Sequence, residues 1–326
     1  MAGLDALRAL DADQRVALLF FALFGTLLAS AGALALAGRR EHGLLVRARL
    51  QRARRELGAL WVAAALFWVA WVSGAVGATL LFGLLSFLAL REFVTLMHTR
   101  RADHRSLLLA FFVVLPLQYL IVAQRRFDLF AVFLPVYVFL TLPVVSALSG
   151  DPQRFLERNA KLQWGLMVTV YGLSHAPALL LLDLPGHAGA GAFLLFFLVA
   201  VCAAAQLAQD AASRWLRRRP VVREISPWFS LRAWLLGVLA AGAVGVALSW
   251  ITPFDPLRAF AMAVIAGAGG TLGALVMEAL KRDAGVRHWG NAAAVTGAAG
   301  LLDRLAALCF AAPVFFHSVR WYFQAA

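Results

Sequence analysis

Leu280-Lys281-Arg282-Asp283-Ala284-Gly285-Val286 and Gly300-Leu301-Leu302-Asp303-Arg304 stand between two long apolar runs, residues 257–280 and 304–323. A polar seam joining two stretches of membrane length decides the fold class, because about 20 apolar residues cross the hydrocarbon core as a helix. The same pattern recurs along the chain. Apolar runs fall at 16–38, 57–74, 76–91, 106–123, 127–148, 163–183, 190–208 and 233–252 as well. Ser73-Gly74 reads as the turn between the second and third. The expectation is an all-α, polytopic transmembrane helical bundle of about ten spans. A membrane barrel would show alternating segments of roughly 10 residues, which are absent.

Composition agrees. Of the 326 residues 62% are hydrophobic and 14% charged, with a mean hydropathy of +0.79, whereas soluble domains carry about 25% charged residues. The net charge of +13 lies in short loops between apolar runs. That placement fits membrane orientation and anionic headgroups rather than nucleic acid. With the N-terminus outside, only Arg8, Arg15, Arg125, Arg126, Arg258 and Arg320 of the 30 Lys and Arg residues fall on the outer side, as the positive-inside rule requires.

The basic stretch 39–56 reads as a solvated loop, with an interfacial helix that attracts anionic lipid as the alternative. The domain reading is an N-terminal span plus basic cytosolic loop at 1–56, and a membrane domain at 57–326. Residues 1–38 do not read as a cleaved leader, because the apolar run is too long and Asp5, Asp11 and Asp13 spoil the basic head. Cys202 and Cys309 lie in apolar segments and form neither a disulfide framework nor a CxxC site.

Ionisable residues near the membrane interior are costly, so each is a candidate for function. Gln206, Gln209 and Asp210 share one helix face by their i, i+3, i+4 spacing. Glu278, Lys281 and Arg282 repeat it, and Asp303 with Arg304 opens the last span. All three clusters sit at the same side in this topology. Ordinary ion pairing, Glu278 with Lys281 for instance, is the competing explanation. Gly267, Gly269, Gly270 and Gly273 lie within a span with no preceding strand, so a helix contact through Gly269 and Gly273 is favoured over a phosphate loop. Ser174-His175 has no acid beside it and reads as a hydrogen-bonded core pair. Neither a serine hydrolase nor a zinc site is indicated.

Several stretches together carry a resemblance. They include Ser86-Phe87-Leu88-Ala89-Leu90-Arg91-Glu92, Leu115-Pro116-Leu117-Gln118-Tyr119, Ser174-His175-Ala176-Pro177-Ala178-Leu179, Ile225-Ser226-Pro227 and Thr252-Pro253-Phe254. Leu280-Lys281-Arg282-Asp283, Leu302-Asp303-Arg304 and Cys309-Phe310-Ala311-Ala312-Pro313 complete the set. From about residue 86 onward the chain resembles the phosphatidate cytidylyltransferase (CDP-diacylglycerol synthase) family, in its longer bacterial branch. The resemblance implies an integral protein of the bacterial cytoplasmic (inner) membrane, and the reaction of CTP with phosphatidic acid to give CDP-diacylglycerol and diphosphate. It implies Mg2+ as cofactor, with Asp210, Asp283 and Asp303 as metal ligands. Asp303, Asp283 and Lys281 would be the catalytic residues, and Arg282, Arg304 and Ser226 would hold substrate phosphate.

The chain departs from the family pattern at the positions that do chemistry. An Asn-Asp pair is replaced by Ala208-Gln209, with Asp210 one place off. A Lys-Thr-Trp-Glu-Gly run reads Phe229-Ser230-Leu231-Arg232-Ala233. A Lys-Asp pair becomes Arg287-His288, Gly-His-Gly-Gly becomes Gly297-Ala298-Ala299-Gly300, and the final aspartate is Ala306. A neutral side chain cannot supply the charge a divalent ion needs. The expectation is therefore a family member with catalysis impaired or lost, still binding phosphatidic acid or another anionic phospholipid, or nucleotide phosphate. Lys281, Arg282, Arg304 and the Arg217-Arg218-Arg219 cluster would do so. The alternatives are an active enzyme with a rebuilt metal site, and a non-catalytic partner subunit docked on a phospholipid-synthesis enzyme.

Overall fold

A computed structural model describes residues 10–39, 43–95, 99–187, 189–216, 220–227, 229–286, 289 and 300–323. Among them are ten helices: α1 (Ala12–Ala37), α2 (Leu44–Val72), α3 (Gly74–Val94), α4 (Arg101–Ala123), α5 (Phe127–Ala147), α6 (Phe155–Leu181), α7 (Ala190–Leu216), α8 (Leu231–Ala247), α9 (Pro256–Asp283) and α10 (Leu301–Phe323). Eight have the length and apolar composition to cross a membrane; α8 is shorter, as is the apolar part of α2. The protein is an all-α polytopic membrane protein, as its sequence indicates. The chain divides into two compact units, Met1–Ala78 and Thr79–Ala326.

In the first unit α1 packs on α2 through aromatic side chains, since lipid offers no hydrophobic drive and van der Waals fit must hold helices together. Phe20 meets Trp68 at 4.9 Å between centroids and Phe24 meets Trp61 at 5.5 Å. The basic stretch expected as a loop is helical from Leu44 and continues without a break into the apolar part of α2. Leu, Arg, Ala and Gln, all strong helix formers, dominate its residues 44–55. The turn at Ser73-Gly74 is where it was expected. Ser73 Oγ donates to the Val69 carbonyl at 2.6 Å, and Gly74 takes φ +63°, which a side chain would oppose.

In the second unit α7, α8, α9 and α10 pack most closely, around fully buried Phe197, Phe254, Phe315 and Phe316. Small residues set the approach of α9 to α10. A Cβ on Gly273 would overlap the Phe310 ring, and one on Gly270 would touch the Ala307 carbonyl at 3.0 Å. The small-residue contact is thus made by Gly270 and Gly273, while Gly269 meets only Val314 at ordinary distance. Of the expected pair, Gly273 makes the contact and Gly270 takes the place of Gly269.

Helices α4, α5 and α6 each contain a π-type turn, at Ala110–Val114, Phe133–Val138 and Met167–Gly172. Pro116, Pro135 and Pro177 lie in or just after them. Proline lacks an N–H and crowds the carbonyl four residues back, and a widened turn accommodates both. On α6, Ser174 Oγ and His175 Nδ1 both donate to the Tyr171 carbonyl, at 2.8 and 2.7 Å. His175 Nε2 is therefore the acceptor facing His317 Nε2 at 3.3 Å. Ser174 and His175 are satisfied core groups, bonded to a shared carbonyl.

The adjoining ends of α4, α5 and α6 are clamped by charge. Buried Arg158 donates to Asp151 Oδ2 at 2.9 Å and lies 3.4 Å from Asp103 Oδ1, while Arg100 donates to Asp151 Oδ2 at 2.9 Å. The Gln153 backbone N–H, and then Arg100, hold the Asp151 carboxyl below the usual carboxylate range.

Candidate functional site

The last turn of α9 places Glu278 and Lys281 three residues apart, on one face. Lys281 Nζ donates to Glu278 Oε1 at 2.6 Å and to Asp303 Oδ1, in the first turn of α10, also at 2.6 Å. Lys281 is only 5% exposed. Met277, one turn earlier on α9, belongs to a buried apolar layer with Ala89, Val168, Leu302 and Ala306. A lysine so buried keeps its charge only beside opposite charge, and two carboxylates supply it.

Glu92, at the end of α3, completes the arrangement. Its Oε1 accepts from the Leu301 N–H at 3.1 Å and its Oε2 from the Leu302 N–H at 2.7 Å. These are unsatisfied donors at the start of α10, where the helix dipole also favours an anion. The carboxylate is in effect a cap supplied from a distant helix. It also occupies the backbone donors that would otherwise attract a phosphate. Trp289 closes the side of this cradle. Its ring stacks on Phe93 at 5.5 Å and its backbone N–H donates to Asp303 Oδ2 at 3.4 Å. Gly300 is required here, because a Cβ would overlap both the Trp289 carbonyl oxygen and Glu92 Oε1.

The rim is basic. Arg282 Nε donates to the Ile225 carbonyl at 3.3 Å, which brings the loop carrying half-buried Ser226 to the end of α9. Arg304 is exposed one residue beyond Asp303. The chemistry available is cation–carboxylate pairing on a buried lysine, with exposed arginines next to the cluster in sequence at Arg282 and Arg304.

The expected residues divide into two sets. Lys281, Asp303 and Glu278 meet, and Arg282 with Ser226 flanks them. Asp283 and Asp210 are both exposed, and Asp210 pairs with Arg214 on its own helix at 3.6 Å. Asp210, Asp283 and Asp303 are not brought into one ligand group; among the described residues no three His, Cys, Asp or Glu side chains are placed to hold a metal ion. Gln209 stands beside Gly237 of α8, with its buried Oε1 lacking a hydrogen-bond partner. Arg217, Arg218, Arg219, Arg287 and His288 lie outside the described residues.

Magnesium requires near-octahedral oxygen ligation and net negative charge. The two carboxylates nearest each other already share one ammonium, and Ala306, where the family pattern has an aspartate, is packed in the apolar layer. Among the described residues the donor set as arranged does not fit Mg2+. Glu92 and Trp289 are the residues that sequence reasoning passed over. Glu92 ends one of the stretches that carry the resemblance but was given no role there, and nothing local to Trp289 marks it.

Residues 53–322 match the sequence model of the cytidylyltransferase family. The chain is also 37% identical, over 243 residues, to the uncharacterized protein YnbB of Escherichia coli (strain K12), an alignment that covers 74% of this chain and 78% of that one.

Proposed function

This chain belongs to the cytidylyltransferase family, and from that premise we propose that it is a phosphatidate cytidylyltransferase-type protein of the bacterial cytoplasmic membrane, N-terminus outside, in which nucleotidyl transfer is impaired or lost. The family reaction joins a phosphate oxygen of phosphatidic acid to the α-phosphorus of CTP and breaks the α–β P–O bond, releasing diphosphate. Charge gathers on the phosphoryl oxygens and must be met by cations. The observation that carries the reading is the position of Lys281: its ammonium stands between Glu278 and Asp303, where a divalent ion would need both carboxylates.

What remains is a lysine–carboxylate cluster with Arg282, Arg304 and Ser226 as the groups that would bind the phosphate of an anionic lipid or of CTP. Asp303, Asp283 and Lys281 are the residues on which any surviving transfer would rest.

The test is cytidylyl transfer by purified protein in lipid nanodiscs, with labelled CTP, phosphatidic acid and Mg2+, beside an intact family enzyme. The expected result is no labelled CDP-diacylglycerol while the control works. Product that disappears in Asp303→Asn would overturn the proposal and establish a rebuilt active site.

A further inference from the structure

A groove of about 480 Å³ runs between α4 and α5, a volume within the range of small-ligand sites. It lies at the end of the bundle opposite Lys281. Helix α10 starts beside Lys281 at Asp303 and ends beside α5, where Arg320 donates to Asp128 at 2.6 Å. Residues 303 to 320 span about 25 Å of helix. One wall of the groove is Leu117, Leu120 and Ile121; the other is Leu129, Phe133 and Tyr137. Their spacings, i, i+3, i+4 and i, i+4, i+8, put each set on one helix face. Gln124 and Arg126, in the turn between the helices, line its polar end.

Two features set this groove apart from an ordinary lipid-facing crease. The first is charge. Of four arginines at this end, Arg125 pairs with Asp183, Arg258 with Asp255 and Arg320 with Asp128. Arg126 has no acidic partner among the described residues, and it is the arginine that lines the groove. Both Arg126 and Gln124 are exposed, so their donors are open to a ligand. The turn fixes Arg126 in place. Its N–H donates to the Ile121 carbonyl at 3.2 Å, and Arg125 takes the left-handed position, φ +57°, that glycine usually fills after a helix.

The second feature is Tyr137. Tyrosines of membrane spans gather at the two surfaces, yet Tyr137 stands midway along α5 and is 55% exposed. Its ring closes the inner end of the groove. Residues 126 to 137 span about 16 Å of helix. An extended chain advances roughly 1.2 Å per bond, so the groove has the length of about 13 bonds.

We propose that this groove holds a long-chain carboxylate, the ionised form of a free fatty acid. Its head lies on Arg126 and Gln124 and its chain runs between α4 and α5 toward Tyr137. One surplus cation matches one negative charge. The guanidinium fork meets both carboxylate oxygens in one plane, and the Gln124 amide adds a donor. A phosphate monoester carries up to two charges near neutral pH and would leave one unmatched. A diester lipid carries one charge but two chains, whereas a single crease between neighbouring helices takes one. A chain that leaves surrounding lipid gains no hydrophobic free energy, so binding rests on the charged head and on fit to the groove. The site shares no residue with the Lys281 cluster and stands independently of the function proposed above.

The experiment is native mass spectrometry of the detergent-solubilised full chain, titrated in parallel with palmitate, methyl palmitate and phosphatidylglycerol. The variants are Arg126→Gln, Leu120→Trp, whose indole would fill the groove, and Arg258→Gln as a control for charge lost at the same end. Thermal unfolding confirms that each variant is folded. The expected result is one palmitate on the wild type and on Arg258→Gln, with affinity at least about tenfold lower in Arg126→Gln and in Leu120→Trp. Methyl palmitate should bind the wild type as weakly as palmitate binds Arg126→Gln. Palmitate binding unchanged in either folded groove variant would overturn the site. Methyl palmitate binding the wild type as tightly as palmitate would overturn the charge pairing, with no variant needed. Phosphatidylglycerol binding as tightly as palmitate would overturn the assignment to a single-chain carboxylate.

Discussion

Lys281 Nζ and Asp303 Oδ1 lie 2.6 Å apart, joining the end of α9 to the start of α10 across 22 residues of sequence. With Glu278 on its other side, the ammonium serves as an internal counter-ion, and its removal leaves two neighbouring carboxylates facing each other. Lys281→Met should therefore lower stability by about 1.5–3 kcal/mol, the scale of a hydrogen bond to a charged group. It should also create or raise an affinity for divalent cations. Thermal unfolding with and without Mn2+ measures both: the variant should gain more stability from Mn2+ than the wild type.

Glu92→Gln keeps the size of the side chain and removes its charge. One amide oxygen cannot serve both the Leu301 and Leu302 N–H groups as two carboxylate oxygens do. The expected loss is about 1–2 kcal/mol, the worth of a helix N-cap plus its dipole interaction. Unfolding of the wild type and variant under the same detergent conditions provides the comparison. An unchanged midpoint would mean that the cap does not contribute.

Ala306→Asp restores the acid of the family pattern, yet it should not restore transfer. Ala306 sits among Val168, Leu173, Leu302 and Cys309, so the carboxyl would enter an apolar layer without a donor. A destabilisation of about 1–3 kcal/mol is expected, with no labelled CDP-diacylglycerol in the nanodisc assay. Recovered product would show that the layer can open to a polar group.

Gly273→Val tests the packing of α9 on α10. The added side chain must displace the Phe310 ring, and overpacking of this kind costs about 1–3 kcal/mol. A lowered unfolding midpoint is the expected readout, and Gly269→Ala, where only Val314 is near, should leave the midpoint almost unchanged.

The clamp at Asp151 has a pH signature. Its carboxyl is held below the usual range, so the stability it adds is present above the ordinary carboxylate pKa, about 3.9, and is lost as pH falls through the lowered value. The difference in unfolding midpoint between the wild type and Asp151→Asn should be steady near neutral pH and shrink in acid. A difference that grows on acidification would contradict the assignment.

Much of the fold was legible because the span signal is long and local. The ten apolar runs correspond to ten helices, and Ser73-Gly74 marks a real turn. The basic stretch before residue 57 takes the helical alternative rather than the loop, because Leu, Ala, Arg and Gln favour one continuous helix. In the site, Glu278 and Lys281 could be paired from their spacing. Glu92 could not, because its partners are backbone N–H groups more than 200 residues away, and backbone donors leave no mark on side-chain chemistry. Of the glycine contact, Gly273 was legible and Gly270 stands in for Gly269, since helical periodicity leaves the facing residue uncertain by about one place when several small residues are adjacent.

The bond from Glu92 to the backbone of Leu301 and Leu302 sets an order of events during synthesis. The carboxylate emerges from the ribosome some two hundred residues before the groups that satisfy it. Until the last helix arrives, the Lys281 ammonium likewise has Glu278 alone. A chain shortened before residue 300 would insert most of its helices and still lack the cleft, with an acidic side chain stranded beside the hydrocarbon. Quality control at the membrane would then have a local feature by which to tell a finished molecule from a truncated one.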